Sequence, residues 1–290
     1  MKDLLTSLRP KQWIKNWFIF LPIIFGDNLF NYSKNFKILI AFILFCMISS
    51  VVYLINDLVD LPYDKKHPEK RKRAIASGKI SIRAVFITII IVSAISLPFS
   101  FFLDVNFGWI TITYLILNLL YSTILKKLII IDVLCLGGFF LLRIIAGTII
   151  AKVEYSHWMI FMTVLLAIFL GFNKRRQEIK HYKESAATYR EVLSKYNTYF
   201  LDQMISVTTS SIVITYMIYT IDIRTLNLIG NNHLAYSIPF VYYGIFRYLY
   251  LVHKENKDGD PTNILISDKT MLVNLFVWII VCVSVIYFKV

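Results

Sequence analysis

Asn56, Asp57, Asp60 and Asp64 are the residues whose types and spacing could do chemistry. They stand in Asn56-Asp57-Leu58-Val59-Asp60-Leu61-Pro62-Tyr63-Asp64, directly after an apolar run from Phe36 to Ile55 whose single charge is Lys37. Acids at membrane depth are costly and mark function. On an ideal helix, at roughly 100° per residue, the four polar side chains fall within an arc of about 100°. Three carboxylates on one face repel one another unless a cation sits among them. Hard oxygen donors suit Mg²⁺, which keeps waters and is commonly completed by substrate phosphates. The residues point to a Mg²⁺–diphosphate site at a membrane surface, with Asp57, Asp60 and Asp64 as metal ligands. Pro62 qualifies the geometry. Its ring clashes with the carbonyl of Leu58, so the helix bends or ends there and Asp64 departs from the ideal arc.

A dense basic run follows the acids, from Lys65-Lys66-His67-Pro68-Glu69 through Lys70-Arg71-Lys72-Arg73 to Ala74-Ile75-Ala76-Ser77-Gly78. Acids can hold the metal while Lys and Arg take the phosphate oxygens it leaves uncovered. A basic loop alone reads as a topology signal against anionic lipid. Next to the acid cluster, the phosphate reading is the stronger one.

Other cations are less specific. Lys11 and Lys15 sit at i and i+4 and would share a helix face, ready for a phosphate or, with Trp13 and Trp17, for the headgroup layer. Tyr121-Ser122-Thr123-Ile124-Leu125-Lys126-Lys127 closes one apolar run and Asp132 opens the next. Arg143 lies deeper on nearly the same face as Asp132. An intramembrane Arg needs an anionic partner or equivalent, and Asp132, a substrate phosphate or a carbonyl could serve. Asn173-Lys174-Arg175-Arg176-Gln177-Glu178 ends a further run, and Arg247 with Asp260 or Asp268 flanks the last basic loop. The five histidines are scattered, so neither a nucleophile–base pair nor a zinc site has support.

The elements that must position these residues are membrane helices. The chain of 290 residues is 57% hydrophobic, and apolar runs of spanning length recur throughout it. Continuous runs exclude the alternation of a β-barrel. The reading is all-α: about nine transmembrane helices near 17–33, 36–56, 84–103, 107–125, 129–150, 157–173, 204–221, 234–252 and 271–288, forming one integral membrane domain over 1–290. Of the 31 Lys and Arg, 24 fall in alternate loops on one side, five on the other and two inside spans. The positive-inside rule places the rich side, with the N-terminus and the acid cluster, in the cytoplasm of a cell with its inner membrane as host. A net charge of +13 thus follows topology and does not imply nucleic acid. Cys46, Cys135 and Cys282 lie in apolar runs and read as packing residues. The polar start, Met1 to Asn16, leads to no small-residue cleavage site, so no signal peptide is expected. Residues 180–193 have helical composition suited to a cap.

At this point the chain resembles the UbiA-type intramembrane prenyltransferase superfamily, whose first motif, Asn-Asp-x-x-Asp-x-x-x-Asp, is matched in full by Asn56, Asp57, Asp60 and Asp64. The resemblance implies nine helices around a cavity open to lipid, with a cytoplasmic cap that holds diphosphate through Mg²⁺. It is similar in particular to the polyprenyl-phosphate (decaprenyl-phosphate) phosphoribosyltransferase branch. Arg9 to Asn16, His67-Pro68-x-Lys70-x-x-Arg73-Ala74-Ile75-Ala76-Ser77-Gly78, Tyr121 to Lys126, Asp132-Val133 and Arg143-x-x-Ala146-Gly147 carry that similarity. It extends through Lys174, Arg175 and Glu178 to Gly259-Asp260-Pro261. There are two departures. Ala74 replaces the usual Pro, and Asn173 to Glu178 replaces the second Asp-x-x-x-Asp of ordinary family members. A site for two anionic substrates needs extra cations.

The implied activity is Mg²⁺-dependent transfer of 5-phosphoribosyl from phosphoribosyl diphosphate to a polyprenyl phosphate. Asn56 would support the metal. Lys70, Arg73 and Lys126 would clamp diphosphate or 5-phosphate oxygens. Lys11, Lys15, Lys174 and Arg175 would meet the lipid phosphate, with Tyr121, Arg143 and Glu178 also in contact with substrate. The alternative is a prenyl-diphosphate:aromatic-acceptor transferase, which the missing second acid motif disfavours. A transporter is the non-enzyme reading, and no inverted repeat supports it.

Overall fold

The computed structural model describes residues 2–26, 28–182, 191–254, 264 and 267–289. Among them there is no strand. The helices are α1 (Lys2–Ser7), α2 (Leu21–Phe25), α3 (Tyr32–Val59), α4 (Leu61–Lys66), α5 (Ile82–Leu103), α6 (Val105–Thr123), α7 (Ile131–Ala151), α8 (His157–Tyr182), α9 (Thr198–Ile221), α10 (Ile223–Ile229), α11 (Ile238–His253) and α12 (Lys269–Phe288). Seven described helices, α3, α5, α6, α7, α8, α9 and α12, are long and apolar enough to cross a bilayer. The protein is an all-helical, multi-pass membrane protein.

Local sequence explains where the long helices start. Asn31, Ser81, Asp104, Asn197 and Asp268 cap α3, α5, α6, α9 and α12, each accepting a backbone N–H of the first turn. The other two expected spans take different forms. In the 17–33 region the chain is a 3₁₀ helix over Pro10–Phe20 that passes into the short α2. Trp13 Nε1 donates to Ser50 Oγ (3.0 Å), and Asn16 Nδ2 donates to Ser49 Oγ (3.1 Å) and Cys46 Sγ (3.2 Å). Ile19 is fully buried. Those three residues recur every third position, and i, i+3 side chains eclipse only on a 3₁₀ helix. This corrects the expectation for Lys11 and Lys15. At roughly three residues per turn, i and i+4 are about 120° apart, so the two lysines share no face. In the 234–252 region, α11 has 16 residues, about 24 Å, shorter than the hydrocarbon core.

The chain divides into two compact units, Met1–Tyr155 with Ala187–Val192 and Ser156–Ala186 with Leu193–Val290. In the first, α3 is the central helix, with 61% of its apolar window buried against 17% for α5. Ile38, Phe45, Phe107, Tyr114 and Phe139 from α3, α6 and α7 build its core with Ile19 and Ile23. Gly147 of α7 admits the N-terminal segment. A Cβ there would overlap the carbonyl of Ile19 and lie 3.1 Å from Pro22 Cγ.

In the second unit α8 packs on α9, and α11 on α12. Tyr216 OH bonds Ser237 Oγ (2.6 Å) and accepts from Trp278 Nε1 (3.0 Å), which ties the 233–237 turn to α9 and α12. Arg247, expected to lie deep, pairs with Asp268 at the start of α12 (2.8 Å). The Arg247 guanidinium beside Asp268 holds that carboxyl well below the usual carboxylate range. Asp260, the other acid named beside that loop, lies outside the described residues, as do Gly259, Pro261 and residues 183–190 of the expected cap. Residues 191–195 are a 3₁₀ turn.

Candidate active site

The acid cluster sits where α3 stops. Asp60 closes α3 and its N–H returns to Asn56 O (2.9 Å), and α4 begins at Leu61 with Pro62 in its first turn. The break falls where the proline requires it. Asp57 and Asp64 are buried, while the Asp60 side chain is 22% exposed. Ser122 Oγ, at the end of α6, donates to Asn56 Oδ1 (3.1 Å) and fixes that amide.

Each carboxylate carries a cation. Arg9 bonds Asp57 Oδ1. Arg73 Nη1 bridges Asp57 Oδ1 (3.1 Å) and Asp64 Oδ2 (2.6 Å). Lys126 bonds Asp60 Oδ1. Among the described residues, no three His, Cys, Asp or Glu side chains stand close enough together to enclose one ion. The expected face of three carboxylates around one metal is therefore not preformed. Basic side chains neutralise the acids instead, because buried like charges need counter-charges at once.

The donor set still suits a hard divalent cation. Asp57, Asp60 and Asp64 each hold their cation through one oxygen only, and the second oxygen makes no hydrogen bond among the described residues. Asp60 and Asp64 border a pocket of ≈ 60 Å³, and carboxylate oxygens match the all-oxygen preference of Mg²⁺. Asp60, Tyr63, Asp64, Lys70, Lys126, Lys127 and Glu191 line that pocket.

The basic loop is folded. Ile75 and Ile80 are buried with Leu54 and Val85, and they pin the loop to α3 and α5. Ser77 N–H bonds Arg73 O (2.8 Å), and Gly78 takes φ 76°, which favours glycine. His67 is buried, and its Nδ1 accepts from the N–H groups of Glu69 (3.1 Å) and Lys70 (3.2 Å). Burial and then the nearby Lys70 push the His67 pKa down, keeping the ring neutral. The loop thereby aims Lys70 and Arg73 at the acids. Lys126 is held by the short 3₁₀ turn Leu125–Lys127, after which Ile130 takes φ 68°. A β-branched residue in that region is strained, and such strain gathers at functional sites.

This arrangement presents hard oxygen donors and a ring of cations at one end of a membrane-helix bundle. The UbiA prenyltransferase family matches residues 19–280. The chain belongs to the UbiA prenyltransferase family. A decaprenyl-phosphate phosphoribosyltransferase of Corynebacterium glutamicum is 28% identical over 289 residues, covering 98% of this chain and 86% of that protein. Another of that name from Mycolicibacterium smegmatis is 26% identical, covering 100% and 94%. A UbiA homolog from Archaeoglobus fulgidus, solved bound to GPP and Mg²⁺, shares the fold with TM-score 0.70 at 18% identity, covering 98% of this chain and 99% of that one. As a UbiA-family member the protein is a transferase enzyme.

In this UbiA-family chain the remaining expected residues are dispersed. Arg143 is buried within the first unit. It donates to Asn16 Oδ1 (2.8 Å), Phe139 O (2.7 Å) and Tyr114 OH (3.0 Å), with Phe45, Tyr114 and Phe140 rings around the guanidinium. A carbonyl, an amide and a phenol thus satisfy it, and the Asp132 partnership is not the one formed. Tyr121 packs edge-on against Phe139. Lys11 is exposed and Lys15 half-buried. Lys174, Arg175 and Glu178 lie on α8 in the second unit, where Arg175 is buried and pairs with Glu178 (2.6 Å). Sequence reasoning missed Arg9 and Ser122. Arg9 stands before Pro10 at φ 52°, and its guanidinium also lies 5.1 Å from the centre of the Tyr53 ring. Its signal was its place at the head of the Arg9-to-Asn16 stretch that carries the resemblance.

Proposed function

We propose that this protein transfers 5-phosphoribosyl from phosphoribosyl diphosphate to a polyprenyl phosphate, releasing diphosphate. The observation that carries the reading is the pairing of three carboxylates with three cations at the end of α3, in a chain alignable nearly end to end with phosphoribosyltransferases of decaprenyl phosphate. The donor set of Asp57, Asp60 and Asp64, supported by Asn56, would hold Mg²⁺, which neutralises charge on a departing diphosphate. Lys70, Arg73 and Lys126 bind diphosphate and 5-phosphate oxygens. Lys11, Lys15, Lys174 and Arg175 are each candidates for the lipid phosphate, and Tyr121 and Glu178 for contact with substrate. Arg143 is reassigned from substrate contact to holding the N-terminal segment.

An oxygen of the lipid phosphate bonds to the anomeric carbon as the bond from that carbon to diphosphate breaks. Attack opposite the leaving group inverts the carbon. The phosphate is ionised at neutral pH, so the reaction needs no general base, and the neutral His67 is already committed to the loop. Fixed cations stabilise the developing charge without reorganising. The whole chain, 1–290, is read as one transferase domain of the inner membrane with its N-terminus and site on the cytoplasmic side, a reading that the distribution of Lys and Arg supports.

Donor choice tests the reading. Purified protein receives Mg²⁺, polyprenyl phosphate and labelled phosphoribosyl diphosphate, and the lipid is extracted. Label in the organic phase only with Mg²⁺ is the expected result. Label absent there, with transfer instead from a prenyl diphosphate to an aromatic acid, overturns it in favour of an aromatic prenyltransferase.

A further inference from the structure

We infer that Arg9, Arg73 and Lys126 are exchangeable counter-ions: each pairs with an Asp of the cluster and passes to a diphosphate oxygen when a divalent metal takes that Asp, so that metal and diphosphate bind as a coupled pair. The inference rests on the metal–diphosphate part of the reading above and deepens it. Its ground is the one-to-one balance of the cluster. Asp57, Asp60 and Asp64 bring three negative charges, and Arg9, Arg73 and Lys126 bring three positive ones in direct contact with them. A metal arriving alone meets carboxylates already neutralised, and its two charges have no compensation. A diphosphate arriving alone meets three cations whose charge the acids cancel. When both arrive, every group gains an opposite partner, because the acids turn to the metal and the cations to the phosphates.

The geometry lets the cations move without unfolding their supports. Arg9 is anchored by its backbone between α1 and the 3₁₀ helix, and its guanidinium already overlies Tyr53 at 5.1 Å. That ring face offers a place for the cation once Asp57 is taken. The Arg73 and Lys126 side chains are 31% and 15% exposed, and Lys126 borders the pocket with Lys70. Arg9 is thereby assigned to the diphosphate site.

The test measures Mn²⁺ binding to the full chain in detergent by electron paramagnetic resonance, with and without inorganic diphosphate, for wild type, Arg9→Gln and Lys126→Gln. In wild type, diphosphate should tighten Mn²⁺ by roughly 5–150-fold, the usual span of coupling between sites. Each variant should bind Mn²⁺ alone more tightly than wild type and lose most of the tightening by diphosphate. Those opposite signs are the signature, and misfolding cannot produce them. Mn²⁺ affinity that is unchanged or weaker in both variants, measured without diphosphate, overturns the exchange. Inorganic diphosphate is common to both donor classes, so this result stands apart from the donor-choice experiment.

Discussion

Arg143 Nε donates to Asn16 Oδ1 at 2.8 Å, and this buried bond joins the N-terminal 3₁₀ helix to the middle of α7. Asn16 is wholly buried and spends its amide N–H groups on Cys46 and Ser49 of α3. One side chain thus links three elements. Asn16→Ala leaves a charged donor unsatisfied, at a cost of about 1.5–3 kcal/mol. Thermal unfolding in detergent should show a lower Tm, with Asn16→Asp closer to wild type because it keeps the acceptor. An Asn16→Ala protein as stable as wild type would remove Arg143 from this structural role.

Two glycines of α7 should respond differently to alanine. A Cβ at Gly147 collides with the backbone of Ile19, whereas one at Gly138 meets only Leu117 Cδ2 at 3.5 Å. Gly147→Ala should destabilise by about 1–3 kcal/mol through overpacking. Gly138→Ala should be neutral or stabilising by up to about 1 kcal/mol, since alanine favours helix. Equal unfolding temperatures for the two variants would contradict the close approach.

His67 makes the loop sensitive to acid. Its folded pKa is pushed down, so the neutral ring is the one that caps the Glu69 and Lys70 N–H groups. The stabilisation is fully present above the unfolded value of about 6.5 and is lost as pH falls through the lower folded value. kcat/KM for the donor should therefore fall on the acid side. His67→Asn supplies an acceptor that does not titrate, and it should flatten that limb after correction for titration of the substrate phosphates. An unaltered profile would show that the ring is not responsible.

Asp57 is the acid that pairs with two arginines, Arg9 and Arg73. Asp57→Asn should abolish turnover while the protein still inserts and elutes as one species. Chelation of Mg²⁺ should stop wild-type turnover reversibly. Retained activity in the variant would end the assignment of Asp57 to the metal.

Under the proposed function, Lys174 is a candidate for the lipid phosphate. Lys174→Ala should raise the apparent KM for polyprenyl phosphate several-fold more than that for the sugar donor. Equal effects on both would mean that this cation serves another phosphate.

Most of the architecture is written in local pattern. Apolar runs fixed by bilayer thickness identify the seven long helices, although α8 continues beyond 173 to Tyr182 and α9 begins before 204 at Thr198, and Pro62 marks the end of α3 at Asp60. The N-terminal segment was not legible, because its 3₁₀ form depends on hydrogen bonds from Trp13 and Asn16 to Cys46, Ser49 and Ser50 of another helix. Nothing in the local order of residues 10–20 announces that partner. α11 is shorter than its apolar surroundings because the chain before it forms the 233–237 turn held by Tyr216.

The sequence by itself determined the membrane class, the acid motif, the basic loop beside it and the charge asymmetry between alternate loops. Each is a property of residue type or near-neighbour spacing, and solvation energy acts on those directly. Tertiary structure decided which cation meets which acid. Arg9, Arg73 and Lys126 reach Asp57, Asp64 and Asp60 from an N-terminal turn, a folded loop and the 3₁₀ turn after α6, and Arg143 turns from a deep charge seeking an anion into a node among neutral acceptors. Such pairings come from packing distant segments together, where desolvation compels every buried charge to find whatever partner the fold brings within reach.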